Sequence, residues 1–285
     1  MCADEPLGCE LSTLNEDLRR AIDDLYLVIQ ANQGEEVDEI LHYAEYFARS
    51  MWLCAMSLSS VWETPFDFSG HGWGVRFHGI SCAMLACREI MEKYLIFRWI
   101  YNESGVSEEN YLKWRIASWA FENKLAVVSD AGKEIIAQNI KERDALIEQF
   151  RKIKRAMGVD EGSINDSVEE LKKGKGLGKP YWSDLFKRAG LKSMYSTYSL
   201  MCDFAHSGAF AICKVANTPD MQGQMLNCRP SAWFATMFVY MFIERYIGVF
   251  EKSWTAVQCD PGMIFRIEVW HRIAKDAAEK LYKMV

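Results

Sequence analysis

The sequence predicts an all-α fold, a multi-helix bundle spanning 1–285 as a single domain. Three observations carry this. No run alternates Val, Ile or Thr with polar residues between turn signals, as a strand would. Apolar residues recur at three-to-four spacing over long segments. Only 6 prolines interrupt 285 residues. Half of the residues are hydrophobic and 25% charged, an ordinary globular balance that excludes global disorder.

The first helix is expected from about Leu14 to Gln30 and the second from Glu36 to Val61, before the Thr64-Pro65 break. Phe66 to Gly74 (FDFSGHGWG) reads as a loop, and exposure of Phe66, Phe68, His71 and Trp73 there would mark a binding surface. A third helix runs from Phe77 to Tyr101. Ser107 then caps a helical region reaching Met157, with two acids in its first turn and a kink near Ser129 to Gly132. Residues 158–180 are polar and Gly/Lys-rich, a mobile insertion or connector with one short helix and then a loop. Its Gly174-to-Pro180 run fails the phosphate-loop pattern, because proline follows the lysine and no strand precedes it. Helices follow at Tyr181 to Ala189 and Leu191 to Ala211. Pro230 is expected to open a helix from Ser231 to Val257. Asp260-Pro261, an N-cap followed by a first-turn proline, opens the last, which runs to Lys283.

The net charge of −6 argues against a general electrostatic grip on nucleic acid, leaving Lys172, Lys173, Lys175 and Lys179 as a local basic patch. Nine cysteines, an odd number with no C-x-x-C, fit free thiols in a reducing cytosol, so a cytoplasmic protein is expected. The acidic N-terminus shows no signal peptide. Ser231 to Phe250 is the most apolar stretch, but Glu244 and Arg245 interrupt it. A buried core helix, not a membrane span, is expected there.

Chemistry in a helical protein is built from polar side chains projecting from apolar helices. In Leu191 to Ala211, residues Lys192, Ser196, Ser199, Asp203 and His206 share one stripe. It reads either as a solvent-facing stripe or as a polar seam with His206 as general acid-base. In Cys87 to Tyr94, Arg88 and Glu92 share a face and Glu89 lies three residues before Glu92. An exposed charged stripe is the alternative. His42, Glu45 and Arg49, extended by Asp38, read as an exposed face. Glu244 or Arg245 either supports a neighbouring site or forms an ion pair near solvent. Cys202 beside Asp203 reads as a core thiol before a nucleophile.

Arg-Glu-x-x-Glu-x-Tyr at Arg88 to Tyr94, with Tyr-x-x-Tyr-Ser…Asp-x-x-His-Ser at Tyr195 to Ser207, resembles a family of bacterial helical proteins built on a domain of unknown function. That family is similar to abortive-infection proteins and to the HEPN superfamily. The resemblance implies a defence or stress effector with metal-independent ribonuclease activity. It also implies RNA or a nucleotide as partner, a homodimer and a neighbouring gene product. The candidate site is Arg88, Glu89, Glu92, Asp203 and His206, with no cofactor and no metal. The superfamily's Arg-x(4–6)-His motif occurs once, at Arg266 and His271, about as often as chance gives. Two other readings stand beside this one. One is a non-catalytic binding or assembly module in which the cluster is structural. The other is a di-metal carboxylate oxidase using Glu89, Glu92, Asp203, His206 and Glu244, although its Glu-x-x-His pair is missing.

Overall fold

The structure is a computed structural model that describes residues 5–63, 66–67, 76–77, 79–122, 130–174, 178–206, 208–218 and 220–282. The all-α expectation holds. In chain order the elements are α1 (Glu5–Gln30), α2 (Glu39–Glu63), β1 (Phe66–Asp67), β2 (Arg76–Phe77), α3 (Ile80–Ile100), β3 (Tyr101–Asn102), β4 (Gly105–Val106), α4 (Glu108–Glu122), α5 (Asp130–Ala156), α6 (Glu161–Lys172), α7 (Trp182–Arg188), α8 (Tyr195–Ala205), α9 (Ala209–Ala216), α10 (Met221–Ile247), α11 (Glu251–Gln258) and α12 (Pro261–Tyr282). The strands form two antiparallel two-residue pairs, β1 with β2 and β3 with β4. Phe68, His71, Trp73, Lys175 and Ser207, singled out by sequence, lie outside the described residues, as do Cys2 and the expected kink at Ser129.

The chain divides into two compact units, residues 1–98 with 186–285, and residues 99–185. In the smaller unit α4, α5 and α6 pack together around Tyr111, Ile116, Phe150, Ile164 and Val168. Ser107 caps α4 as expected, accepting from the Asn110 N–H at 3.4 Å. The 158–180 segment supplies α6, whose Ile164, Val168 and Leu171 are buried. One of its glycines has a packing reason. Gly178 sits at φ +68°, and a Cβ there would lie 2.2 Å from the Lys113 carbonyl oxygen.

In the larger unit α10 is the central helix, packed on α1, α2, α11 and α12. Its residues Phe234 to Ile243 are all buried, which is why this apolar stretch exists. Among the described residues no single helix is long and apolar enough to cross a membrane. Phe97 of α3 bridges Phe47 of α2 and Phe242 of α10, at ring-centroid distances of 6.0 and 4.4 Å. The expected helix over 231–257 is two elements, for α10 and α11 meet at a bend of 117°. Pro230 does not open α10 either. Asp220 does, accepting the Gly223 N–H at 2.7 Å, and Pro230 lies inside the helix. The proline withholds one ladder donor, and Ser231 donates to the Cys228 carbonyl at 2.6 Å beside it.

Two buried polar networks fix α1 against this core. Asp24, 3% exposed, receives Nε and Nη2 of Arg266 from α12, both at 2.8 Å, and the Tyr240 hydroxyl from α10 at 2.9 Å. Two turns on, Asn32 donates to Tyr246 at 3.0 Å and to Ser253 at 2.6 Å, while Ser253 donates to the Val28 carbonyl at 2.7 Å.

Asp24→Ala is expected to destabilise the protein by about 3 kcal/mol in urea titration, since removing one partner strands the other charge. The double variant Asp24→Leu/Arg266→Met should recover most of that loss. Burial raises the pKa of Tyr240 and of Tyr246 above the ordinary tyrosine value, and the Asp24 carboxylate pushes Tyr240 further the same way. The folded state therefore keeps protons that the unfolded chain releases, so stability is full below pH ~10 and falls above it. Urea midpoints measured from pH 8 to 11 should decline past that point, and less steeply in Tyr246→Phe.

Candidate functional site

The predicted site residues come from α3 and from the end of α8. Arg88 and Glu92 do meet, one turn apart on α3. Arg88 Nε donates to Glu92 Oε1 at 2.8 Å, and the Tyr198 hydroxyl from α8 donates to the same oxygen at 2.7 Å. The Arg88 guanidinium carbon lies 5.8 Å from the centre of the Tyr198 ring. Burial by itself would lower the Arg88 pKa, but the Glu92 carboxylate outweighs it and the guanidinium is held firmly charged. Burial and the Glu92 carboxylate together raise the Tyr198 pKa. Cys202 lies by Arg88 and Tyr198, so α8 runs antiparallel to α3 here.

The other three residues do not join this cluster. Glu89 points to another face of α3, where it pairs with Lys93. Lys93 also donates to the Cys54 thiol of α2 at 3.3 Å. Burial would raise the Glu89 pKa, but the Lys93 ammonium overrides it and holds the carboxylate below its usual range. Burial raises the Cys54 thiol, which makes it a poor nucleophile.

Asp203 is a cap. Its Oδ2 accepts the Ala211 N–H at 2.9 Å and its carbonyl accepts the Gly208 N–H at 2.8 Å. This is why the expected single helix over 191–211 is interrupted, with α8 ending at Ala205 and α9 beginning at Ala209. The break leaves His206 exposed, closing α8 through its backbone N–H to the Cys202 carbonyl at 3.0 Å. His206 follows the cluster by one turn, beyond its Arg88 end.

The Arg-x(4)-His pair is also divided. Arg266 is the partner of Asp24, whereas His271 Nδ1 lies 2.7 Å from Glu244 Oε2. Glu244 is thus paired near solvent, one of its two expected roles. No group of three or more His, Cys, Asp or Glu among the described residues could hold a metal ion, so the di-metal reading has no ligand set there.

No family model, no curated protein and no solved structure matches this chain.

Sequence reasoning missed the groove between α1 and α2. Arg19 to Glu63 at 2.8 Å and the Tyr26–Trp52 ring pair at 5.7 Å set these helices antiparallel. Tyr26, Ile29, Gln30, Gln33, Arg49 and Trp52 line a cavity of about 270 Å³ there. The available signal was Arg49, part of the stripe read as an exposed face. Its role depends on the α1 side chains opposite, which no single-helix pattern reveals. A second cavity of about 560 Å³ lies beside Glu244, Glu251 and Trp254 and is open to solvent.

Gly208 has no room for a side chain, for a Cβ there would lie 1.7 Å from Asp203 Oδ1. Gly208→Ala should therefore displace the cap and cost ~1–3 kcal/mol, as overpacking does. A denaturation curve reads this, with Asp203→Ala, losing only a cap worth ~1 kcal/mol, as the reference.

Proposed function

We propose that this protein is a binding module whose site is the α1–α2 groove, and that the Arg88–Glu92–Tyr198 cluster is a structural clamp. One observation carries the reading: Glu92 Oε1 already accepts from both Arg88 and Tyr198. A general base must keep a lone pair turned toward the proton it takes, and an electrophilic cation must face the developing charge. In the clamp Glu92 Oε1 is turned toward Arg88 Nε and the Tyr198 hydroxyl. Arg266 is likewise engaged twice by Asp24. A cytoplasmic location is part of the proposal, supported by the free thiols of Cys54, Cys82, Cys87, Cys202, Cys213, Cys228 and Cys259.

The rival is the metal-independent ribonuclease implied by the resemblance to HEPN-like proteins. Exposed His206, one turn beyond Arg88, favours it. A structured RNA incubated with the protein in EDTA separates the two. The expected result is no cleavage by wild type or by His206→Ala, with the unfolding midpoint of His206→Ala unchanged, as for a surface substitution. Tyr198→Phe should lower stability by about 1 kcal/mol through one lost hydrogen bond. Cleavage by wild type that His206→Ala abolishes would overturn the binding-module reading.

A further inference from the structure

Resting on that reading, we propose that the α1–α2 groove takes a small planar aromatic ring carrying an anionic group. Its volume of about 270 Å³ equals about nine liquid-water volumes. It lies just under the ~300–1,000 Å³ of drug-sized sites, so one ring system with one compact substituent fills it. Tyr26 and Trp52 supply the ring surface. Their planes meet at 36° and Tyr26 is 45% exposed, so its ring is not closed off by its neighbour. The indole N–H of Trp52 is buried and has no acceptor within the protein.

Arg49 reads the charge. Its side chain is 58% exposed and forms an ion pair with Glu45 at 3.7 Å, beyond hydrogen-bond length. The five-donor fork is thus largely available for a carboxylate or phosphate. Arg49 is the one charged side chain among the lining residues, and Glu45, one turn away on α2, is its ion-pair partner. Gln30 and Gln33 close the wall at the end of α1, and each offers an amide donor and acceptor to a heterocycle edge. A neutral ring forgoes Arg49, and bare phosphate forgoes Tyr26 and Trp52. The ligand must bring both parts.

Two sources share this chemistry, a nucleoside monophosphate and an aromatic carboxylate. Isothermal titration of the full chain with adenosine monophosphate and with indole-3-carboxylate distinguishes them. Adenosine, indole and inorganic phosphate serve as controls. At least one ring anion is expected to bind with Kd below about 1 mM, with its neutral counterpart at least about tenfold weaker. Heat from the nucleotide alone assigns a phosphate ligand, and heat from the carboxylate alone an acid. Arg49→Gln, an exposed change that leaves the fold intact, should weaken the ring anion about tenfold and leave the neutral ring unaffected. Trp52→Leu should abolish binding of both. The proposal is overturned by no heat from either ring anion, by phosphate alone binding as well, or by Arg49→Gln binding like wild type. Each of these can occur with the RNA assay still silent, so the failure of this inference is distinct from the failure of the binding-module reading.

Discussion

The larger unit depends on one buried carboxylate. Asp24 sits on the face of α1 that also carries Ala21, Leu25 and Val28, all fully buried. Taking a carboxylate out of water costs several kcal/mol, which only close and well-directed partners offset. Here Arg266 and Tyr240 supply three hydrogen bonds from two other helices. Apolar contact alone is non-directional and would tolerate α1 sliding by a turn along α10. Such a slip would carry Asp24 away from its donors and leave it charged in an apolar wall. The Asn32–Tyr246–Ser253 network, two turns along, sets the same register again. The groove depends on that register, since it fixes which α1 residues stand opposite Arg49 and Trp52.

The α3–α8 contact works on a similar principle with an exposed edge. Glu92 neutralises Arg88, and Tyr198 ties the pair to α8. Glu89, three residues away and on another face, ties α3 to α2 through Lys93 and Cys54. The charges of this helix therefore join elements, each through a different neighbour. A string of charges that looks like one site in sequence becomes two separate fastenings in space.

Much of the fold was legible because helical periodicity and capping are local. Ser107 and Asp260 were identifiable from their neighbours alone, and both cap helices in the structure. Pro230 misled because a proline that starts one helix can also sit inside another. What decides is Asp220, ten residues earlier, with its side-chain bond to Gly223. The break after Ala205 escaped notice because it turns on the Asp203 carboxylate reaching Ala211, a contact across a turn. For the candidate site, sequence spacing found the Arg88–Glu92 pair, which lies within one helix. It could not find Tyr198 as their shared partner, nor Asp24 as the partner of Arg266 across 242 positions. The groove was beyond reach for the same reason, as its walls come from two helices.

The junction at Gly208 has a consequence for how the molecule breathes. Helix α9 has eight residues, too few to hold together without outside help. It leans on α8 and on the Asp203 carboxylate, and it shows Ile212 and Val215 to solvent, 58% and 47% exposed. Its amides belong to a local opening unit whose free energy is below that of the whole fold. The hydrogen bond that holds α9, from Ala211 to Asp203, is separate from the one that holds Glu92, from Tyr198, so an opening of α9 need not break the clamp.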